Sequence, residues 1–277
     1  MQISPRYDGE AVVQVASTIE AGGPLVRQRD RLAALLGELS DQEWATPSRC
    51  AGWTVQDVVT HLITVNQFWT LSITAGLDAA PTRYLDGFDP VATPAQLVDG
   101  AKGGPPAETL AQFVASNQTL AATVSPLDES GWSALAEAPP GHIAIRAVVL
   151  HGLWDAWIHE RDIALPLGRP PVREPDEIIG SLAYVAALGP GFMALSGATR
   201  AGVLGVRVTD PDASLVVEVG PSIRVRQGAA PTGCPVLAGD AVELLEALSF
   251  RGPRPTGLAA EDRWLLGDLG PVFDQPS

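Results

Sequence analysis

Cysteine is scarce in this chain of 277 residues, since Cys50 and Cys234 are its only two. They stand far apart and in no C-x-x-C spacing, so the sequence supports neither a disulfide framework nor a zinc site made of thiolates. Cys50 lies just before a predicted helix, and nothing near it in the sequence marks it as a reactive thiol. We expect two reduced cysteines.

Long apolar runs and clusters of positive charge are also lacking. No uninterrupted stretch of about 18 apolar residues is present, and the first residues, MQISPRYDGE, lack the basic end and apolar segment of a signal peptide. With 18 basic and 32 acidic side chains the formal net charge is −14, and a field of this sign repels polyanions. We therefore expect a cytoplasmic monomer or homodimer that binds small molecules, with no nucleic-acid or membrane partner.

Apolar residues make up 46% of the chain, and in its first part they recur with helical spacing. The pattern predicts four amphipathic helices, over 24–39, 54–77, about 106–124 and about 143–165. Thr54 is the expected N-cap of the second helix, with Asp57 completing a capping-box pattern. Four helices of this length favour a helical bundle over residues 1–168.

The pattern changes after the proline-rich segment 168–177. We expect a helix from Asp176 to about Ser196, followed by strands over 203–210, 214–220 and 222–228 and by a last helix over 239–250. The predicted fold class is therefore α plus α+β, with the bundle followed by a smaller α+β domain, residues 169–277, that contains an antiparallel sheet.

A column of ionisable side chains stands on the fourth predicted helix. Asp155 and His159 share one face because residues four apart are neighbours on a helix; His151 lies one turn before Asp155, and Asp162 follows His159 by three residues. A bundle interior tolerates such a column only where its members are paired or bind something, because burying an uncompensated charge costs several kcal/mol.

Adding His61 from the second helix gives two imidazoles and one carboxylate. His61, Asp155 and His159 suit Zn²⁺, Ni²⁺ or Fe²⁺, and three protein ligands leave a position open, as in catalytic rather than structural sites. A divalent cation beside one carboxylate stays positive and attracts an anion such as a thiolate. The alternative is ordinary: buried or surface histidines, with Asp155 and His159 as a helix-surface pair.

Two segments carry a resemblance to a known family. SRCAGWTVQDVVTHL is similar to the segment P-G-W-[ST]-x-x-x-[VL]-x-x-H-[LV] that opens the second helix in mycothiol-dependent maleylpyruvate isomerases and their DinB-like relatives. DAWIHERDIALPLG resembles the second signature of that family, an acidic residue followed by His and then by Asp. The order of the segments and the α+β region that follows them also fit.

The resemblance implies an N-terminal DinB-like four-helix bundle, a small C-terminal domain that helps to form the cleft, and two cofactors, a divalent metal and mycothiol. His61 and His159 match the family's metal-ligating histidines. Asp155 stands where the family usually has glutamate, which is longer by one C–C bond, or about 1.5 Å. The metal would then sit closer to the fourth helix, or a water would bridge, or the affinity would be lower.

Further residues are candidates for catalysis or cofactor binding. Asp162 matches the family's trailing aspartate and could orient His159. His151 has no counterpart in the family pattern and is a general acid or base or an interior residue. Arg251 resembles an arginine-bearing turn of relatives and could hold a carboxylate by a bidentate bond, or lie on the surface. Trp53 contacts the cofactor or substrate, or anchors the helix start.

The function implied is that of a metal-dependent enzyme in which the mycothiol sulfur attacks a small electrophile. An enone would give cis/trans isomerisation, and a carbon bearing a leaving group would give S-transfer. Zn²⁺ is the metal we expect first, with Ni²⁺ and Fe²⁺ as alternatives. Two other functions stay open: a thiol-independent metallohydrolase, and a non-catalytic ligand-binding or sequestering protein of the same fold, which the aspartate at position 155 favours.

Overall fold

The computed structural model describes residues 2–195, 197, 199–267, 269–270 and 272–273. In chain order its helices are α1 (Gly22–Gly37), α2 (Asp41–Trp44), α3 (Val55–Leu77), α4 (Ala92–Gly100), α5 (Pro106–Val124), α6 (Glu129–Ser133), α7 (Ile145–Ala164), α8 (Pro175–Leu195) and α9 (Ala241–Leu248), followed by a 3-10 helix (Ala260–Leu266). Its strands are β1 (Val13–Val15), β2 (Leu135–Ala138), β3 (Gly141–Ala144), β4 (Gly202–Thr209), β5 (Ala213–Val219), β6 (Ile223–Gln227) and β7 (Val236–Asp240).

The four predicted amphipathic helices form the expected bundle. Helices α1 and α3 each pack against both α5 and α7, so their apolar faces enclose a common interior. The start of α3 is fixed as predicted, because the Thr54 side chain accepts a hydrogen bond from the backbone N–H of Asp57, whose carboxylate accepts one from the N–H of Thr54. This capping box sets the rotation of α3.

The start of α7 differs slightly from the prediction. Ile143, the expected first residue, lies in β3, and the helix begins at Ile145. The antiparallel β2–β3 hairpin packs on the end of α3, where Ser72 Oγ donates to the carbonyl of Glu137 and accepts from its N–H. These bonds satisfy the backbone before the helix begins, and no local pattern in the sequence marks them.

The five-stranded sheet has the order β1-β6-β5-β4-β7. Its centre is antiparallel, as predicted, because β5 pairs antiparallel with both β4 and β6. Both edges are parallel: β1 pairs with β6, and β7 with β4. Neither edge strand was predicted, since β1 has only three residues and β7 lacks an alternating pattern.

Helix α8 connects the bundle to the sheet. It packs against α7 and α1 on one side and against β1, β5, β6 and α9 on the other. The helix starts at Pro175, close to the expected Asp176, while Ser196, its expected end, lies outside the described residues. Strand β1 belongs to the segment 1–168 but pairs with β6 of the segment 169–277, and the division into two domains at residue 168 stays a prediction.

Helix α8 is also the one helix, among the described residues, that is long and apolar enough to cross a membrane. Its most apolar window is 83% buried inside the protein. Such burial is typical of the central helix of a globular core, since a lipid-facing helix would present that surface outward.

Candidate metal centre

The three predicted metal ligands meet between α3 and α7. His61 Nε2 lies 3.5 Å from Asp155 Oδ2, and His159 Nε2 lies 3.6 Å from Asp155 Oδ1. The two imidazole rings are edge to face with centroids 5.0 Å apart. One potential ligand atom from each residue lies within 4.8 Å of the others. The capping box of α3 and the four-residue spacing on α7 bring the cluster together.

The donor set fits a divalent cation. In a tetrahedral site with bonds of about 2.1 Å, ligand atoms stand about 3.4 Å apart, and the two separations from Asp155 are close to that value. Asp155 Oδ2 is buried and accepts no hydrogen bond from the described residues. A buried carboxylate oxygen without a partner is costly, and a cation between the three residues would satisfy it. The shorter aspartate therefore reaches the cluster.

Electrostatics hold Asp155 ionised. Burial alone would raise the pKa of its carboxyl, but the neighbouring His61 and His159 outweigh it, and the pKa lies well below its usual value. For His159, burial alone would lower the pKa of the ring, but attraction to Cys50 and Asp155 and the hydrogen bond with Asp162 raise it well above its usual value. The space between the two imidazole rings is thus strongly polar, although the bundle around it is apolar.

Asp162 and Arg251 lie behind His159, on the side away from the cluster. Asp162 Oδ2 is 3.1 Å from His159 Nδ1, and the Asp162 side chain is fully buried. Arg251, which follows α9, donates from Nε to Asp162 Oδ1 at 2.9 Å and from a terminal nitrogen to Oδ2 at 2.9 Å. The bidentate bond predicted for Arg251 is therefore made to a carboxylate of the protein itself, which it fixes against His159.

Cys50 contacts functional candidates of this region, although nothing near it in the sequence marks it as reactive. Its Sγ lies 3.2 Å from Asp162 Oδ2, 3.5 Å from His159 Nδ1 and 3.4 Å from an Arg251 nitrogen. The backbone N–H of Arg49 donates to the carbonyl of Asp162 and holds this loop against the end of α7. These partners come from residues distant in sequence, so only the loop's position before α3 could have pointed to Cys50.

Cys50, His159 and Asp162 form a second group with metal-ligand spacing. The Arg251 guanidinium, however, contacts both Asp162 and Cys50. A fixed positive charge at bonding distance from two of the three donors opposes a metal cation there. We therefore assign the candidate metal to His61, Asp155 and His159.

His151 lies one turn before Asp155 and is buried. Its Nδ1 is 2.6 Å from the hydroxyl of Tyr184 on α8. Burial lowers the pKa of His151 to about 4 and raises that of Tyr184 well above its usual value, so the imidazole is neutral and the phenol keeps its proton. Because the Tyr184 hydroxyl has no other acceptor among the described residues, we assign it as the donor to Nδ1, which places the imidazole proton on Nε2.

An apolar pocket of about 270 Å³ opens in front of the cluster, with His61, Asp155 and His151 among its lining residues. Its walls come from α3, α4, α7, α8 and the segment between α3 and α4. Five of the aromatic side chains that line it are Phe68, Trp69, Phe88, Trp154 and Phe192. The pocket is the space from which a small molecule can reach the cluster.

Trp53 lies outside the pocket. Its ring lies against that of His61, with centroids 5.4 Å apart, and it packs beside a smaller apolar cluster that includes Trp44 and Val58. It does not line the pocket. The anchoring role predicted for Trp53 agrees with this packing, and its contact with a cofactor stays a prediction.

Comparison with known proteins agrees with the geometry. A family model described as the mycothiol maleylpyruvate isomerase N-terminal domain matches residues 25–164. The chain belongs to this family. The matched segment contains most of α1 and all of α3, α5 and α7, with all three candidate ligands. No curated protein sequence is a significant match to the chain.

Two solved structures share the fold. A crystal structure of mycothiol-dependent maleylpyruvate isomerase has a TM-score of 0.58 and 15% sequence identity, and the match covers 87% of this chain and 93% of that one. A structure of a histidine-to-alanine mutant of that enzyme has a TM-score of 0.58 and 13% identity, with 85% and 94% covered. The match spans nearly the whole length of that enzyme, and it supports both the bundle and the C-terminal mixed sheet.

Proposed function

We propose that this protein is a metal-dependent enzyme that uses mycothiol as a nucleophilic thiol to isomerise a small cis-enone. The observation that carries the proposal is that His61, Asp155 and His159 meet at the inner wall of a pocket large enough for a small molecule. Membership of the family favours mycothiol as the thiol, and the donor set favours Zn²⁺ first. We expect it to work in the cytoplasm as a monomer or homodimer.

The cofactors would supply the nucleophile. His61, Asp155 and His159 would hold the divalent cation, which would lower the pKa of the thiol and so supply a thiolate able to add reversibly to an electrophilic carbon. Addition converts the double bond of an enone into a single bond, so rotation and loss of the thiol give the trans isomer.

The protein's own residues orient the ligands. In the proposed arrangement Asp162 accepts the Nδ1 proton of His159, which leaves Nε2 as the lone-pair nitrogen facing the cluster. Arg251 holds Asp162 in place through its two hydrogen bonds. We therefore regard Arg251 and Asp162 as positioning residues, since neither lines the pocket.

His151 favours isomerisation over S-transfer. With Nδ1 occupied by Tyr184, its Nε2–H has no hydrogen-bond partner among the described residues, and the side chain lines the pocket. We propose that Nε2–H donates to the carbonyl oxygen of an enone, on which negative charge develops as sulfur adds to the double bond. A substrate that only exchanges a leaving group has no such oxygen.

The test uses Zn²⁺-loaded protein with mycothiol and two cis-alkenes, maleylpyruvate and dimethyl maleate, followed by proton NMR. We expect trans product from at least one of them at a rate that requires both thiol and metal and is lost in His159→Gln. Accumulation of the saturated thiol adduct without the trans alkene would mean that the thiol adds and is not eliminated, which would contradict isomerisation. Ester hydrolysis without thiol would identify a metallohydrolase, and no reaction under any condition would favour a binding protein.

A further inference from the structure

The wall of the pocket carries no lysine or arginine among the described residues. The polar side chains that line it are neutral, namely Thr64, Tyr84, Thr93 and His151, apart from the metal-ligand candidates His61 and Asp155. The rest of the lining is aromatic, aliphatic or proline. A bound carboxylate would therefore have no cationic partner in the wall.

Two arginines close to the cluster are bonded to other groups of the protein. Arg251 is bonded to Asp162 behind His159. Arg29 is only 1% exposed and lies in the bundle interior, where it donates to Asn66 Oδ1 and to the carbonyl of Gly152. Neither side chain lines the pocket.

The metal, the thiol and Asp155 together leave no surplus positive charge for an anionic substrate. This step rests on the proposed function: a divalent cation, the Asp155 carboxylate and one thiolate sum to zero. The remaining buried cation that acts on Asp155 among the described residues is Arg29, which is enclosed in the bundle interior and does not line the pocket. The net charge of the chain, −14, adds a repulsive background. Maleylpyruvate carries two carboxylates at neutral pH, and both would be desolvated against aromatic rings.

We infer that the pocket selects a neutral, apolar electrophile, an α,β-unsaturated ketone or ester with an aliphatic or aromatic body, and rejects carboxylates. The aromatic rings of the lining supply the contact surface, and His151 supplies one hydrogen-bond donor for a carbonyl oxygen. The preferred substrate would therefore differ from maleylpyruvate, the dicarboxylate after which the family is named.

Binding of a matched pair of ligands tests the inference. Benzylacetone and hydrocinnamate have the same phenylethyl body and differ in a methyl ketone against a carboxylate. Each is titrated into Zn²⁺-loaded protein with excess mycothiol, and binding is followed by quenching of tryptophan fluorescence, since Trp69 and Trp154 line the pocket. We expect the ketone to bind at least about tenfold more tightly. Equal or tighter binding of the carboxylate, or no binding of the ketone, would overturn the inference.

A positive charge introduced at the pocket mouth provides a second test of the inference. Leu97 lines the pocket on α4 and is 49% exposed, so a longer polar side chain is tolerated there. Leu97→Lys should tighten hydrocinnamate binding by about tenfold, whereas Leu97→Met, its uncharged counterpart of similar length, should keep the original preference. Unchanged carboxylate binding in Leu97→Lys would contradict a specificity set by missing positive charge.

Turnover separates failure of this inference from failure of the proposed function. If thiol-dependent kcat/KM is higher for maleylpyruvate than for dimethyl maleate, the pocket inference is wrong and the proposed enzyme stands. If neither is converted but benzylacetone still binds in preference to hydrocinnamate, the enzyme proposal fails and the pocket's selectivity stands.

Discussion

The two sides of the cluster of His61, Asp155 and His159 differ in the chemistry of their side chains. Behind His159, Asp162 and Arg251 form a partly buried, charged hydrogen-bond network with Cys50. In front of it, the pocket is lined mainly by aromatic and aliphatic groups. Charge-assisted hydrogen bonds fix geometry, whereas apolar contacts tolerate variation in shape. The contrast indicates that the first side sets the position of the ligands and that the second receives the reactant.

The largest effect should come from removing a ligand where the two sides meet. His159→Gln should weaken Zn²⁺ binding by at least about 100-fold, since loss of an outer partner alone costs 10- to 100-fold. Competition with a chromophoric chelator measures the affinity. His142→Gln is the matched control, because His142 is also buried but bonds to the carbonyl of Thr82. Equal losses in the two variants would mean that the effect is one of folding.

On the pocket side, His151 should make the folding stability depend on pH. Burial lowers the pKa of His151 to about 4 from 6.5, so the unfolded chain binds the proton more readily and stability falls as pH drops from 6.5 towards 4. The loss is on the order of 3 kcal/mol. Urea unfolding of wild type and His151→Gln should diverge in this window, with the variant showing the flatter profile. Parallel profiles would contradict a neutral, buried His151.

The charged side should affect metal affinity without affecting the pocket. Asp162→Asn keeps the shape but removes the charge that Arg251 and His159 share, and should weaken Zn²⁺ binding by about 10- to 100-fold. Benzylacetone binding, followed by tryptophan fluorescence, should stay within about twofold, because Asp162 does not line the pocket. A change in the ketone's affinity as large as the change for Zn²⁺ would remove the distinction between the two sides.

The smallest effect should come from Cys50. Cys50→Ser keeps a hydrogen-bonding group beside Asp162 and His159, so Zn²⁺ affinity should fall only about threefold, the low end of what one altered hydrogen bond contributes. Cys234→Ser, in a loop far along the chain, serves as control and should have no effect. A loss of Zn²⁺ affinity of about 100-fold or more, as large as that expected for His159→Gln, would instead indicate that Cys50 is a metal ligand.

Local spacing explains why much of the fold and the ligand set could be predicted. Asp155 and His159 share a face because they are four residues apart, and Thr54 with Asp57 fixes the start of α3 within a few residues. Both are short-range effects of helix geometry. His61 required the family resemblance as well, since nothing local says that its face meets α7.

Long-range packing explains what could not be predicted. Val13 of β1 pairs with Ile223 of β6, and a three-residue strand has no periodicity that would reveal such a partner. Cys50, Asp162 and Arg251 converge from a loop, a helix end and the turn after α9, and His151 meets Tyr184 across two helices. Each of these contacts depends on how whole elements pack, which no local pattern encodes.

Anomalous diffraction at the zinc edge, from crystals of the Zn²⁺-loaded protein, tests the central assignment most directly. One peak is expected, about 2.0–2.2 Å from His61 Nε2, His159 Nε2 and an Asp155 carboxylate oxygen. The coordination position that these three residues leave open should face the aromatic pocket. A peak bonded to Cys50 and Asp162, or bound zinc with no ligand among His61, Asp155 and His159, would contradict it.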